Sequence, residues 1–235
     1  MKRSNKEIQR ARMWRYFIDA ATEVIEKDGI DYFNVRKIAD KAGFTSSTVY
    51  NYFKDLSHLK FFTAMRYTAD YLDDLPSYLE KGNNTVESWL YVWECFCKHS
   101  FENPEIYSVI FMDNLGFIPE ELLEHYYHIY QNDLIGLPDE IRDIIVEQDF
   151  SKRSALYIQS AVDEGFIEQK NVHFIADVTL LIWKGMINSV INQRRKYSKE
   201  EATQKTLFYV YQSVMGVVVP EKRNEINLVY KDIDA

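Results

Sequence analysis

Glycine and proline are scarce in this chain, at eight and five in 235 residues, and no strand-and-hairpin signal stands out. With apolar residues recurring at the 3.6-residue period over long stretches, that scarcity argues against a sandwich or barrel and predicts an all-α protein. There are only two cysteines, Cys95 and Cys97. Two apart on a helix they point away from each other, so core thiols are expected rather than a disulfide or a CxxC pair. No basic segment leads into an uninterrupted apolar run, and no stretch reaches the ~18 apolar residues of a membrane span. The expectation is a cytoplasmic chain with no membrane partner. The sequence also lacks G-x-x-x-x-G-K, G-x-G-x-x-G, G-x-S-x-G and H-E-x-x-H, so nucleotide, acyl-transfer and zinc-protease chemistry have no signature. No catalytic residue, cofactor or metal is assigned. His125 and His128 with Glu121 and Glu124 stand at helical spacing, but solvated polar residues explain that pattern better than a metal does.

Basic residues are outnumbered as well: 28 Lys+Arg against 36 Asp+Glu give a net charge of −8, which argues at first against a nucleic-acid partner. The deficit is uneven. Residues 1–60 hold 12 Lys+Arg against 8 Asp+Glu, a balance of +4, whereas residues 61–235 hold 16 against 28, a balance of −12. An acidic body repels a polyanion and leaves the basic head as the contacting surface. Lys2, Arg3, Lys6, Arg10, Arg12 and Arg15 open the chain as a basic arm ahead of the first helix, which runs to Gly29. Such an arm could track phosphates or enter a minor groove, or be a frayed terminus.

The stretch from Asn34 to Leu59 reads as a helix-turn-helix. Asn34 is a good N-cap, and Val35, Ile38, Ala39 and Ala42 follow at amphipathic spacing. Gly43 ends that helix, Phe44 is placed to bury in the corner, and Thr45 caps a second helix running to about Phe53. On a helical wheel Val49 and Phe53 face inward. Ser47 and Asn51 point furthest outward, flanked by Ser46 and Tyr50 on one side and Thr48 and Tyr52 on the other. That outward surface is hydroxyls, phenols and an amide with no acid, groups that donate to phosphates and reach base edges. Spacing alone fits a solvated helix equally well.

The order A-A-x-x-x-I-x-x-x-G from Ala20 to Gly29, R-K-I-A-x-x-A-G from Arg36 to Gly43, and T-V-Y-x-Y-F-x-x-L-x-x-L from Thr48 to Leu59 resembles the N-terminal domain of the TetR family of bacterial one-component regulators. The resemblance covers about residues 13 to 62. It implies an all-α homodimer in which three N-terminal helices bind double-stranded, palindromic operator DNA and a larger, divergent helical body senses a small ligand. Carried over by position, base reading falls on Arg36, Ser46, Ser47 and Thr48, and phosphate contact on Asn34, Tyr50, Asn51 and Tyr52. Arg36 is suited to bidentate contact with a guanine, and Lys37 and Lys54 flank the motif as point charges. Thr45 completes the expected DNA-binding set. Leu56 departs from the pattern, because many members carry a lysine there; Lys54 or Lys60 is the expected substitute.

The resulting division is a DNA-binding domain at 1–60, a ligand-binding and dimerisation domain at 61–219, and a loose tail at 220–235. A single linking helix is expected through Phe62, Met65, Tyr67 and Leu72, ending before Pro76, and its tilt would set recognition helices about 34 to 36 Å apart. In the body, Trp89, Trp93, Phe96, Phe111, Phe117, Tyr126, Tyr130 and Tyr157 could line an apolar cavity, although each alone fits ordinary core. The last two helices, about Val172 to Arg195 and Lys199 to Val218, are apolar over a wide arc. Phe174, Val178, Leu181, Ile182, Gly185, Met186, Ser189, Leu207, Tyr211 and Val214 are therefore expected at a four-helix homodimer interface. The function expected is a repressor released by a small apolar effector, with a long-chain fatty acyl compound first. The alternatives are a sensor of aromatic or cationic drugs controlling efflux, and a helical enzyme or carrier for apolar molecules.

Overall fold

The computed structural model describes residues 5–113, 122–147, 149–193 and 196–233. These form the helices α1 Asn5–Asp28, α2 Val35–Ala42, α3 Ser46–Tyr50, α4 Leu56–Arg66, α5 Ala69–Leu79, α6 Thr85–Glu102, α7 Pro104–Phe111, α8 Leu122–Ile129, α9 Asp139–Ile145, α10 Phe150–Ile158, α11 Ser160–Asp163, α12 Val172–Ile191 and α13 Lys199–Val217. Among the described residues there is no strand, only an isolated antiparallel bridge between Ile167 and Val218. The helices gather into two units, Met1–Ala69 with Glu105–Gln131, and Asp70–Pro104 with Asn132–Ala235.

In the first unit α1 packs on α2 and α4, and α2 on α3. Trp14, Phe17, Ile18, Ile38, Val49, Phe53, Leu59 and Phe62 are fully buried there. The Trp14 ring lies 4.5 Å from Phe53 and 4.7 Å, edge-on, from Phe62. Helix α8 joins this core although it is some sixty residues downstream of α4. His125 lies 4.4 Å from Trp14, and the Tyr126 hydroxyl accepts from Arg66 at 2.9 Å and donates to the Met65 carbonyl at 3.3 Å. The Arg66 guanidinium sits 4.3 Å over the Tyr130 ring, and Arg15 donates to the Ile129 carbonyl.

The basic run is not an arm ahead of a helix: from Asn5 onward it is α1 itself, because Lys, Arg, Gln and Ala are good helix formers and no glycine or proline interrupts them. The linking helix is also two helices rather than one. Thr68 turns its hydroxyl onto the Met65 carbonyl at 2.7 Å, a local bond that competes with helix continuation. Pro76 then lies inside α5.

In the second unit α6 packs on α13 and α10, and α12 on α13 and α10. Trp183 is fully buried and donates to Ser100 Oγ at 2.9 Å. Cys95 and Cys97 are buried free thiols, and burial pushes Cys95 up to about 12. Helix α9 has no counterpart in the sequence expectation, since seven residues are too few to display a helical period. Helix α12 also revises the expectation about membrane spans. Within Gln169–Ile191 an 18-residue window of mean hydropathy 1.5 is long and apolar enough to cross a membrane by length and composition, and a third of that window is buried.

The tail from Pro220, expected to be loose, packs on α6. Glu87 is almost wholly buried, and its carboxylate accepts from Asn83 N and Nδ2 at 2.9 Å each and from Asn227 N at 2.6 Å. Burial raises its pKa, but the N–H donors of Asn83, Asn227 and Leu228 outweigh that and leave it lowered. Tyr230 donates to Glu94 at 2.5 Å, and Ile226 is buried. Replacing Glu87 by Ala should therefore cost on the order of 3 kcal/mol, since charged acceptors are expensive to remove. Deleting residues 220–235 in that background should cost less than in wild type, because the two changes remove the same bonds; urea unfolding measures both.

Candidate functional site

The α2–α3 corner is built from local chemistry. Asn34 caps α2 by accepting from Lys37 N at 3.0 Å, and Gly43 closes it with φ 71°, a left-handed conformation that glycine adopts without a Cβ penalty. Thr45 caps α3 by accepting from Thr48 N at 3.3 Å. Backbone bonds from Tyr52 and Phe53 to the Val49 carbonyl carry the turns on to Phe53.

The capping decides which side chains remain for a ligand. The Thr45 and Thr48 hydroxyls lie 3.0 Å apart and are occupied with each other. Tyr52 is half-buried, its ring 5.6 Å from Phe17. Ser47, Tyr50 and Asn51 are exposed and Ser46 half-buried, with no acidic residue in α3. Arg36 is exposed on α2 and makes no ion pair among the described residues. Lys37 instead rests on Asp28 at 2.8 Å, and Asp28 is lowered by that hydrogen bond. A phosphate would have to compete for this lysine. Lys54 is exposed, Lys60 lies 3.7 Å from Asp113, and Leu56 is half-buried at the first turn of α4. Phe44 does not bury in the corner. It remains 39 % exposed, edge-on to Tyr16 at 6.0 Å and tilted against Phe17 at 5.4 Å.

His58 braces the turn behind α3. Its Nδ1 accepts from Lys54 N at 3.1 Å, its backbone N–H donates to the Asp55 cap at 2.8 Å, and its ring stands edge-on to Phe62 at 5.0 Å. Burial, reinforced by His125 and Lys54 and opposed by Asp55, lowers its pKa to about 4. Sequence inspection missed this residue; its place three after an acidic N-cap is the signal that could have found it.

The second unit contains an apolar cavity of about 60 Å³. Trp89, Trp93, Phe96 and Tyr157 line it. Ile141 and Ile144 line it as well, unforeseen because α9 was, and so does Phe150 at the start of α10. Tyr126 and Tyr130 belong to the first unit, stacked on each other at 4.9 Å. Phe111 is there too, 6.0 Å from Tyr107, while Phe117 lies outside the described residues. His125 lies tilted against Trp14 at 4.4 Å, and Glu121 is outside the described residues.

Of the residues expected at a subunit contact, Phe174 and Leu181 are 56 % and 67 % exposed, Gly185 is exposed, and Val178, Ile182 and Ser189 are half-buried. Positions 174, 178, 181 and 185 make one stripe along α12. Met186, Leu207 and Val214 are instead buried within their own unit, and Tyr211 packs 6.2 Å from Tyr230 of the tail.

Residues 17–58 match the sequence model described as bacterial regulatory proteins, tetR family. No curated protein matches the chain. Among solved structures, RolR in complex with resorcinol is similar with TM-score 0.59 at 16 % identity, over 97 % of this chain and 99 % of RolR. FadR from Thermus thermophilus, a TetR-family repressor in complex with lauroyl-CoA, gives 0.57 at 13 % identity, over 85 % and 94 %. The fatty acid degradation regulator FadR from Bacillus halodurans gives 0.53 at 16 %, over 92 % and 97 %. At such identities the likeness is one of fold.

The folded state resists protonating His58 until about pH 4, whereas an unfolded histidine takes its proton near 6.5. Stability from this group is therefore complete above about pH 6.5 and is lost as pH falls toward 4. Thermal melts across that window should show the melting temperature falling, with a shallower slope in His58→Phe.

Proposed function

We propose, from the match of residues 17–58 to the model of the tetR family of bacterial regulatory proteins, that this chain is a homodimeric repressor released from a palindromic operator by a small apolar ligand. The observation that carries this reading is the α2–Gly43–α3 corner, which turns Arg36, Ser47, Tyr50 and Asn51 outward on a surface whose second helix has no acid. Arg36 then reads a base and Tyr50 and Asn51 hold phosphates, with Ser46, Thr48, Tyr52, Asn34 and Lys54 at the margins. Lys37 takes part by exchanging Asp28 for a phosphate.

The α12 stripe of Phe174, Val178, Leu181 and Gly185 supports self-association. Gly185 lets a second helix approach closely, with the Ser189 hydroxyl folded back on its carbonyl at 2.9 Å. A partner copy fits the stripe better than lipid does, because Asp177 and Lys184 lie in the same helix. A cytoplasmic, non-enzymatic regulator is the corresponding reading.

For the effector, the likeness to lauroyl-CoA-bound FadR supports a fatty acyl compound. The cavity of about 60 Å³ is less than half the ~150 Å³ that takes a benzene ring elsewhere, so a ring and an acyl chain alike require its walls to move. Ligand that favours one spacing of recognition helices over another shifts the dimer off its operator by that difference in affinity.

Anisotropy titrations against DNA from upstream of its own gene test the reading. Arg36→Ala should cost about 1 to 3 kcal/mol and relax base preference without altering the salt slope. Lys54→Ala should lower that slope by about 0.9. Unchanged affinity in the Arg36→Ala, Tyr50→Ala double variant at fixed salt would refute the assignment.

A further inference from the structure

The corner that turns α3 outward leaves an aromatic pair uncovered beside it. Phe44 stands between Gly43, which closes α2, and Thr45, which caps α3. Its N–H donates to the Ala39 carbonyl at 2.9 Å, which ties its backbone to the last turn of α2. Its ring lies 5.4 Å from the buried Phe17 and edge-on to Tyr16, yet both Phe44 and Tyr16 stay exposed, Tyr16 by 51 %. Two rings of α1 thus brace the phenyl without covering it. A side chain held in place before its partner arrives loses little freedom on contact. The hydroxyls at this end of α3 are meanwhile occupied: Thr45 accepts from Thr48 N at 3.3 Å and lies 3.0 Å from the Thr48 hydroxyl. Beside the cap, the exposed chemistry is therefore a phenyl ring, whereas further along the helix it is Ser47, Tyr50 and Asn51.

We propose that Phe44 is a specificity-determining residue that reads one thymine in each half-site by its C5 methyl group. The inference rests on the reading of the α2–α3 corner as the element that enters a major groove. In that geometry the N-terminal end of the recognition helix meets base edges, and the residue immediately before its N-cap arrives with it. Thymine alone carries a methyl on its major-groove edge, and apolar side chains recognise it by contact. Cytosine at the same place presents an amine donor, which a phenyl would strip of water without offering an acceptor. Tyr16 is a positioning residue, restricting the directions open to the Phe44 ring. A phenyl neutralises no phosphate, so this contact adds sequence preference and leaves the salt dependence of binding unchanged.

Deoxyuridine differs from thymidine only by that methyl, so it tests the contact without altering the protein. The probe is a duplex selected from random sequences by the full wild-type chain, with each thymine replaced in turn by deoxyuridine. Anisotropy titrations should find one position per half-site where affinity falls about fourfold, the loss expected for one buried carbon. Phe44→Ala should bind the unmodified duplex severalfold more weakly and lose nothing further from deoxyuridine at that position, with the salt slope of wild type. Phe44→Leu should retain part of the methyl effect, and Tyr16→Ala should reduce it while Phe44 is still present. Wild type indifferent to every deoxyuridine, or a methyl effect that persists in full in folded Phe44→Ala, overturns the proposal and leaves the DNA-binding reading standing. Failure of wild type to select any sequence overturns both.

Discussion

The burial of Trp14 is the constraint on which the DNA-binding unit depends. Its indole is 1 % exposed and touches Phe53 behind α3, His58 and Phe62 on α4, and His125 on α8. Each aromatic contact contributes about 0.5 to 1.5 kcal/mol beyond area burial. The geometric consequence matters more: one side chain from α1 fixes the turn after α3 and both helices that brace it. The outward direction of Tyr50 and Asn51 follows from the inward position of Val49 and Phe53 against this cluster.

What the sequence made legible was the local part. Asn34, Gly43 and Thr45 specify a cap, a left-handed stop and a second cap within a dozen residues, and each works through its nearest neighbours. The outward surface of α3 could therefore be read residue by residue. Aromatic side chains carried no such local instruction. Trp89 and Tyr130 look equally suitable for a cavity, yet one lines it and the other lies beneath an arginine in a different unit, a choice made by contacts far apart in the chain. Helical periodicity likewise reports that a face is apolar without reporting what covers it. Leu207 and Val214 are covered by their own chain, while Phe174 and Leu181 are not.

Helix α8 has a consequence for how the molecule is made. The first unit takes its last helix from residues 122–129, so the chain leaves that unit after Ala69, builds α5 and α6, and only then returns. During synthesis the recognition helix emerges early but lacks the Tyr126 hydroxyl for Arg66 and the His125 ring for Trp14 until more than half the chain has been translated. Half of the second unit's central pair, α6, is by then waiting for α13, which comes last. The two units are thus completed in interleaved order, and the first cannot be finished before the framework of the second has been started.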